Sequence, residues 1–593
     1  MSNTNYNLND ITGQQPKSSS WPALKRLISL LPSERKRLIG ALIFMLINSV
    51  LTLLVPIIIQ NTIDHHIVTP DYPGVLRNCG LLLCVYLVAL VTFYLRTSLM
   101  GGFGQRLLFT LRNSLFNKLL ELPVAFFNQN KSGDLISRIN NDTDKINQFF
   151  SQSLMQFVAS IFLITGAGIF LIIQNYRLGL AALAPALCMW IFTKLVSPWV
   201  KKKNAASLKT TGGLSAEIQE SLDNFKVIIA FNRRDYFRKK FDAANRKNYR
   251  SSIIAGLANN VFMPVYSLAA TLGQLIVLVF GVYLISKGGF TIGALISFFL
   301  YLTNFYDPLR QMATLWANFQ VALAGWDRIS TILSMESDLK TIPVQASDSR
   351  AWSEDSLLEF RNVSFSYPNG KEVLHNNSFR MEKGKTYALV GPTGGGKTTT
   401  ASLIARLYDP TSGTILLDGQ DIRSYSATDR VRKIGFILQD PFLFSGTVRD
   451  NILYGNEQYV SYSNEELGNV IHEAGLESLL TRFDDGLDTK MVTGGDGISL
   501  GQKQLIAFMR AVLRNPQLLI LDEATANIDT VTEKMLEDIL RKLPASTTRV
   551  IIAHRLNTIE NADEIFFVNS GEIIRAGSLD QAVDMLLHGK RVS

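Results

Sequence analysis

The chain is organised around the stretch Gly391-Pro392-Thr393-Gly394-Gly395-Gly396-Lys397-Thr398. It fits the pattern G-x-x-x-x-G-K-[ST], and it lies between a strand-like segment, Thr386 to Val390, and a helix-compatible run, Thr399 to Tyr408. Glycines at these positions let successive backbone N–H groups point at phosphate oxygens, and the following helix presents the positive end of its dipole to the same anion. Lys397 is then within reach of the β- and γ-phosphates, and the Thr398 hydroxyl is placed to ligate Mg²⁺. A simple turn is the alternative for such a loop alone, and the segments downstream argue against it.

Two apolar runs downstream end in residues that suit phosphate chemistry. Leu518 to Leu521 lacks alternation, as a strand covered on both faces requires, and it is followed by Asp522 and Glu523. Carboxylates at the end of a buried strand are costly unless a metal or a proton transfer uses them. We therefore expect Asp522 on the Mg²⁺ side and Glu523 as the acceptor of a proton from the attacking water. Val550 to Ala553 is a similar run ending in His554, which suits positioning the γ-phosphate; a core histidine is the alternative.

The rest of the 593-residue chain is too long for one core, and its two parts differ in charge. Residues 1–340 hold 33 Lys and Arg against 17 Asp and Glu, whereas residues 341–593 hold 26 against 33. The positive excess accompanies apolar segments, which indicates the inner face of a membrane rather than nucleic acid as the partner. The three cysteines show neither a disulfide framework nor metal-ligand spacing.

Six apolar segments in the first part of the chain are candidates for membrane spans. About 20 helical residues cross a hydrocarbon core of about 30 Å. The predicted spans are Leu38 to Ile59, Cys79 to Leu95, Leu154 to Ile173, Leu178 to Val196, Met263 to Ile285 and Ile292 to Leu315. Six spans put both termini on one side, and the 13 Lys and Arg between Lys201 and Arg250 mark that side as cytoplasmic. The long segments 96–153 and 197–262 are expected to continue as helices into the cytoplasm.

Two groups of polar residues in this part leave alternatives open. Asp307, beside Pro308, either faces an internal cavity or belongs to the polar cytoplasmic end of its span. His65 and His66 follow Asp64 in an external loop, where solvated side chains are the simpler interpretation and a metal site is the alternative.

Further residues of the membrane part carry a family resemblance. They are Leu122-Pro123-Val124-Ala125-Phe126-Phe127, Gly133-Asp134-Leu135-Ile136-Ser137-Arg138 with Asn141-Asp142, and Phe290-Thr291-Ile292-Gly293-Ala294-Leu295 with Pro308-Leu309 and Arg328-Ile329. With them, nearly the whole chain after residue 20 resembles ATP-binding cassette exporters. The resemblance implies a half-transporter that works as a dimer: an α-helical membrane domain of six transmembrane helices plus an α/β P-loop nucleotide-binding domain with a helical subdomain. It also implies short coupling helices near Phe126 to Lys131 and near Ser221 to Phe225.

The resemblance and the composition together predict four regions. Residues 1–20 are polar and lack the apolar core of a signal peptide, so we expect a disordered cytoplasmic N-terminus. Residues 21–333 are the predicted six-helix transmembrane domain, and residues 356–593 are the predicted nucleotide-binding domain, with helices in residues 448–513. Residues 334–355 are polar and unpatterned, which indicates a linker.

The resemblance also assigns roles within the ATP site. Tyr367 offers a flat apolar face that suits stacking on adenine, and an ordinary strand tyrosine is the alternative. Gln439, after the apolar run from Ile434, contacts Mg²⁺ and the attacking water. Thr399 continues the phosphate-binding segment, and Asp529 lies in a loop that crosses the dimer.

The signature segment departs from the family's usual Leu-Ser-Gly-Gly-Gln. Here it reads Ile498-Ser499-Leu500-Gly501-Gln502. Ser499, Gly501 and Gln502 are retained and are able to cap a helix N-terminus against a γ-phosphate. Leu500 adds a bulky side chain where the ATP of a second chain approaches. In several heterodimeric exporters the chain with intact Walker residues has an altered signature, so a heterodimer is favoured over a homodimer; a tolerant position is the alternative.

Taken together, these features predict ATP-hydrolysis-driven export of an amphipathic small molecule, drug, lipid or peptide by alternating access. The expected cofactors are ATP and Mg²⁺, and the expected partners are a second half-transporter, the lipid bilayer and the substrate. A soluble cassette ATPase of the DNA-repair kind is excluded by the six spans. An importer on the same fold and an ATP-gated channel or regulator remain alternatives, although Glu523 and His554 favour turnover over gating.

Overall fold

The chain divides into a helical unit and a sheet unit. The computed structural model describes residues 5–8, 10, 32–343, 354–368, 370–492, 497–522, 530–552, 559–577, 580–581 and 584–585. The helical unit comprises Gln15–Lys118 and Leu135–Leu333. The sheet unit comprises Met1–Gln14, Leu119–Asp134 and Ser334–Ser593, so it includes a short segment from within the helical half of the sequence.

Residues 32–343 are helical almost throughout, because their long apolar runs contain few breakers. The α-helices in this range are α1 (Arg35–Thr62), α2 (Tyr72–Glu121), α3 (Val124–Gln129), α4 (Ser132–Ser137), α5 (Thr143–Gln148), α6 (Leu154–Gln174), α7 (Tyr176–Asp223), α8 (Phe225–Ala230), α9 (Arg234–Asn260), α10 (Phe262–Ser286) and α11 (Ile292–Leu333). Wider π-helical turns follow three of them, at Ile63–Ile67, Arg138–Asp142 and Phe149–Ser153. The chain from α4 to α6 is therefore one helix with two π-helical insertions.

Within the residues that the structure describes, five helical segments are long and apolar enough to cross a membrane. They are Arg35–Ile67, Tyr72–Glu121, Ser132–Gln174, Tyr176–Asp223 and Arg234–Ser286. Large apolar side chains cover their outer faces; Leu195, for example, is 74% exposed. Such apolar faces can contact lipid tails. Within the bilayer the helices satisfy their own backbone hydrogen-bonding groups. The sixth predicted span lies in α11, which is not among the five and carries the polar residues Asn304, Asp307 and Arg310.

The predicted short helices are found close to their expected positions. Helix α3 begins two residues before the first predicted coupling helix. The second prediction, Ser221 to Phe225, is displaced, because α7 continues to Asp223 and the Asn224 N–H still bonds to the Glu220 carbonyl. The short helix therefore starts only at Phe225, as α8.

A buried carboxylate links α11 to the π-helical turn Arg138–Asp142. Asp142 is almost fully buried, and its Oδ1 forms an ion pair with the Arg328 guanidinium of α11. Lys145 lies at 3.5 Å from the same oxygen, and Arg138 donates a hydrogen bond to the Arg328 carbonyl at 3.1 Å. Gly325 permits this approach, since a Cβ there would lie 3.2 Å from the Asp142 carbonyl oxygen.

The described strands of the sheet unit form three sheets. They are β1 (Ser356–Ser366), β2 (Glu372–Glu382), β3 (Thr386–Val390), β4 (Ser412–Leu417), β5 (Gln420–Asp421), β6 (Ile434–Ile437), β7 (Gly446–Thr447), β8 (Lys490–Met491), β9 (Leu518–Asp522), β10 (Thr548–Ile552), β11 (Glu564–Asn569) and β12 (Glu572–Arg575). The largest sheet has the order β12-β11-β3-β10-β9-β6, in which all strands except β12 run parallel. The other two have the orders β2-β1-β4-β5 and β7-β8.

Besides α3, the described residues of the sheet unit contain further helices. In chain order they are α12 (Lys397–Ile404), α13 (Ala427–Lys433), α14 (Val448–Ile452), α15 (Asn464–Glu473), α16 (Glu477–Leu480), α17 (Leu500–Val512) and α18 (Thr530–Lys542). Strands β3 and β9 are buried along their whole length, which explains their unbroken apolar sequence. Helices α14 to α17 lie within the predicted helical region 448–513 and contribute Ile452, Leu467, Leu479 and Leu505 to one apolar core.

Replacing Arg328 with Met is expected to lower the stability of the helical unit, because the carboxylate of Asp142 loses its closest cation while staying buried. Breaking a buried pair costs about 3–5 kcal/mol, and the half-exposed Arg328 reduces the expected loss to about 2 kcal/mol. Thermal unfolding of the purified protein in detergent measures the change. The control is Arg310→Met on the same helix, whose pair with Asp307 is exposed and worth at most about 1 kcal/mol. Equal melting temperatures for the two variants would contradict the expectation.

Candidate nucleotide-binding site

The parallel sheet brings several of the described site residues to the carboxyl ends of its strands. In the order β3-β10-β9-β6, neighbouring strands run parallel, so their carboxyl ends lie side by side. The phosphate loop, residues 391–398, follows β3; Asp522 ends β9; and Gln439 comes two residues after β6. In the sequence, Glu523 comes directly after β9 and His554 comes two residues after β10. Both lie outside the described residues. Crevices at the carboxyl ends of parallel strands are the usual ligand sites of such sheets.

The phosphate loop depends on glycine for both its conformation and its packing. The backbone φ angles of Gly391, Gly394 and Gly396 are +149°, +82° and +115°. Residues with a side chain adopt such positive φ angles only with strain, whereas glycine adopts them readily. Gly395 has no such φ, but a Cβ there would lie 2.5 Å from the carbonyl oxygen of Val568 on β11. The loop therefore curls tightly against β11.

Lys397 lies across the phosphate loop. Its side chain is buried, and its Nζ donates hydrogen bonds to the carbonyl oxygens of Gly391 at 2.8 Å and Pro392 at 3.0 Å. The ammonium is thus held at the loop by oxygen atoms. Phosphate oxygens are stronger acceptors than these carbonyls because they carry charge.

Thr398 and Asp522 form a pair of oxygen donors. Thr398 Oγ1 donates to Asp522 Oδ1 at 3.2 Å, although the residues come from different strand ends. Thr398 is exposed at the first turn of α12, whereas Asp522 is buried. One hydroxyl and one carboxylate beside a phosphate site fit Mg²⁺, which binds one or two protein oxygens together with phosphates and water.

Tyr367 lies next to the phosphate loop. Its hydroxyl is 3.0 Å from Thr399 Oγ1, and its ring meets the Tyr408 ring edge-on, with centroids 5.2 Å apart. Asn128 of α3 donates a hydrogen bond to the Tyr408 hydroxyl at 2.7 Å. Burial raises the pKa of Tyr408 above its usual value, and the bond from Asn128 opposes this only in part. The Tyr408 hydroxyl is therefore neutral at physiological pH.

Gln439 has an exposed side chain and a fixed backbone. Its carbonyl oxygen accepts a hydrogen bond at 2.8 Å from Nε2 of Gln504, a buried residue of α17. Gln504 is a structural link that sequence reasoning missed. It stands two residues after Gln502, and only this proximity to the signature segment could have drawn attention to it.

The signature segment caps its own helix. Ser499 Oγ accepts from the Gln502 N–H at 3.2 Å, and Gln502 Oε1 accepts from the Ser499 N–H at 3.0 Å. This is a reciprocal capping box at the start of α17. Gly501 is buried, whereas Leu500 is 37% exposed at the first helical position. The bulky side chain therefore stands at the positive end of the helix dipole.

The remaining predicted residues divide into two groups. Thr393 and Gly394 are exposed at the tip of the phosphate loop. Asp529, like Glu523 and His554, lies outside the described residues. Within the described part of the site, the structure brings together Lys397, Thr398, Thr399, Asp522 and Tyr367.

Known proteins share this architecture over nearly the whole chain. Residues 38–309 match the family model of the ABC transporter transmembrane region, and residues 374–526 match that of the ABC transporter. An uncharacterized ABC transporter ATP-binding protein of Bacillus subtilis is 34% identical over 570 residues, which cover 94% of this chain and 92% of that protein. A multidrug resistance ABC transporter ATP-binding and permease protein of Lactococcus lactis subsp. cremoris is 31% identical, with 85% and 84% covered. The structure of a bacterial Atm1-family ABC exporter with ATP bound superposes with a TM-score of 0.77 at 25% identity, covering 94% of this chain and 99% of that one.

These similarities agree with the membrane spans, the parallel sheet and the phosphate loop. The helical domain and the nucleotide-binding domain occur once each and in the order of an exporter half. The prediction of an ATP-binding cassette fold is therefore confirmed. The chain is a multi-pass membrane protein of the ABC transporter family, an ATPase coupled to transport, with its nucleotide-binding domain in the cytoplasm.

Proposed function

We propose that the chain is one half of a dimeric exporter that uses ATP hydrolysis to move an amphipathic compound out of the cytoplasm. The observation that carries the proposal is the 3.2 Å contact of Thr398 with Asp522 beside the phosphate loop, in a chain that also carries membrane spans. The exporter fold of the solved neighbour and the multidrug name of the Lactococcus relative support the direction and the substrate class. Alternating access of the membrane domain supplies the transport step.

Each proposed role follows from the chemistry of the residue. Mg²⁺ supplies charge neutralisation for the phosphates, and Thr398, Asp522 and Gln439 are its proposed ligands or their water-mediated partners. The phosphates are bound by the phosphate loop, through Gly391, Thr393, Gly394, Gly395, Gly396 and Lys397, and by Thr399. Tyr367 stacks on adenine. Glu523 takes the proton of the attacking water, and His554 positions the γ-phosphate.

A second chain completes the proposed site. Ser499, Gly501 and Gln502 stand at the exposed start of α17, where a helix N-terminus attracts the γ-phosphate held by another chain. Asp529 belongs to the loop proposed to cross between the chains. Because each chain offers both a phosphate loop and a signature helix, two chains form two composite sites.

We favour a heterodimer. The exposed Leu500 is placed where the ATP of the partner approaches, and in a homodimer it would stand at both sites. With a different partner it stands at one site only. The partner is then expected to have a glycine in its signature and to lack the residue matching Glu523 or the one matching His554.

Changing Lys397 to Ala is expected to abolish ATP binding at this chain's own phosphate loop, because the loop loses its side-chain cation. Binding of a fluorescent ATP analogue to the purified protein measures this loss. Lys534→Ala, an exposed change on α18, is the control and should leave affinity intact. Unchanged affinity in the Lys397 variant would make the loop a structural turn.

Changing Glu523 to Gln is expected to keep ATP binding and to slow hydrolysis at the same site by about 10²- to 10⁴-fold, since the shape remains and the base is lost. Single-turnover hydrolysis with radiolabelled ATP isolates the chemical step. The exposed Asp538→Asn on α18 serves as control. A near-normal single-turnover rate in the Glu523 variant would refute the assignment.

The heterodimer predicts that the chain purified alone hydrolyses little ATP. Co-expression with a half-transporter encoded beside it should restore hydrolysis, and Leu500→Gly should raise occupancy of the impaired site. ATPase activity in lipid nanodiscs of the lone chain and of the complex is the measurement. Robust, substrate-stimulated hydrolysis by the lone chain would rule the heterodimer out.

A further inference from the structure

Residues 5–8 lie in a groove of the sheet unit, in contrast to the disorder expected from their composition. Tyr6 is 1% exposed and Leu8 is fully buried. One wall of the groove is α3, and the other is the start of the linker, residues 336–338. All three segments belong to the sheet unit.

The Tyr6 side chain bonds to the linker and packs on α3. Its hydroxyl donates to the Glu336 carbonyl oxygen at 3.2 Å and accepts from the Asp338 N–H at 2.9 Å. Its ring meets the Phe126 ring edge-on, with centroids 6.4 Å apart. One residue therefore contacts both walls of the groove.

The backbone of the segment is bound by side chains at the end of α3. The Tyr6 N–H donates to Gln129 Oε1 at 3.0 Å, and the Leu8 N–H donates to Asn130 Oδ1 at 3.0 Å. Asn130 Nδ2 donates in return to the Tyr6 carbonyl oxygen at 2.9 Å and to the Phe126 carbonyl oxygen at 2.8 Å. The Asn130 amide thus fastens the segment to α3 in both directions, as a paired strand would.

We propose that residues 5–8 act as a tethered ligand of this groove and that Tyr6 is a positioning residue for α3. Without the segment, α3 and the linker lose the residue that bonds to both. Because the segment belongs to the same chain, its binding to the groove is intramolecular and is favoured over that of a free peptide.

The position of α3 matters for the nucleotide site. Asn128 of α3 bonds to the Tyr408 hydroxyl, the Tyr408 ring packs against Tyr367, and Tyr367 bonds to Thr399 beside the phosphate loop. A displaced α3 is expected to loosen Tyr408 and then Tyr367. This second step rests on the proposed adenine-stacking role of Tyr367, whereas the docking of residues 5–8 does not.

The first experiment measures hydrogen–deuterium exchange of the full protein in lipid nanodiscs. Deletion of residues 2–10 is expected to accelerate exchange in residues 124–130 and 336–340 by at least about fivefold, since locally anchored segments open more readily when an anchor is lost. Tyr6→Phe keeps the ring and removes the hydroxyl, so it should give an intermediate effect. Asp10→Asn changes an exposed residue beyond the segment and keeps an oxygen that accepts the bond from Asn5, so it should leave exchange unchanged.

A synthetic peptide of residues 1–10 is expected to restore protection when added to the deletion variant at millimolar concentration. The same peptide with Tyr6→Ala should not. Unchanged exchange in the deletion variant, or equal rescue by both peptides, would overturn the docking. This outcome is independent of whether the chain exports anything.

The second experiment separates positioning from a general loss of structure. Deletion of residues 2–10 is expected to raise the KM for ATP about fivefold, the factor that corresponds to about one lost hydrogen bond, with kcat at saturating ATP unchanged. ATPase activity is measured on the functional dimer, and the peptide should return the KM to its original value. A fall in kcat without any change in the KM for ATP would overturn the positioning role.

Discussion

No side chain fits between the phosphate loop and β11, and this restriction sets the geometry of the whole site. A Cβ at Gly391 or Gly395 would collide with the carbonyl oxygen of Val568, and the Gly571 N–H holds the Gly395 carbonyl at 3.1 Å. The loop is therefore fixed to the turn between β11 and β12. Its position places Thr398 opposite Asp522, the last residue of β9. The parallel register of β9 and β10 pairs Asp522 with Ile552, so the two strands end at the same level.

Much of this arrangement is predictable because it follows from local sequence. Unbroken apolar runs give β3 and β9 within a residue of expectation, since a strand covered on both faces has no polar alternation. Five spans follow from length and hydropathy in the same way. The sixth predicted span, in α11, is apolar only in its first half, so its hydropathy supports it less strongly than that of the other five.

Other features cannot be read from the sequence because they depend on distant residues. Tyr6 finds its partners more than 120 positions away, and a polar segment rich in Asn gives no sign of a groove that binds its backbone. The link from Gln504 to the Gln439 carbonyl spans 65 positions and uses a side chain outside any motif. The displacement of α8 reflects one further helical hydrogen bond at Asn224, a boundary effect that propensity does not resolve.

The capping box of Ser499 and Gln502 has a consequence for assembly. Because both side chains bond within their own chain, the first turn of α17 is ordered before any second chain arrives. Gln502 Nε2 also donates to the Arg482 carbonyl, which fixes the turn to the rest of its subdomain. In the proposed dimer, association therefore does not have to order this first turn, and little conformational entropy is lost there. In the proposed dimer, the closing of two chains on ATP would then depend on rigid-body approach rather than on folding of this contact surface.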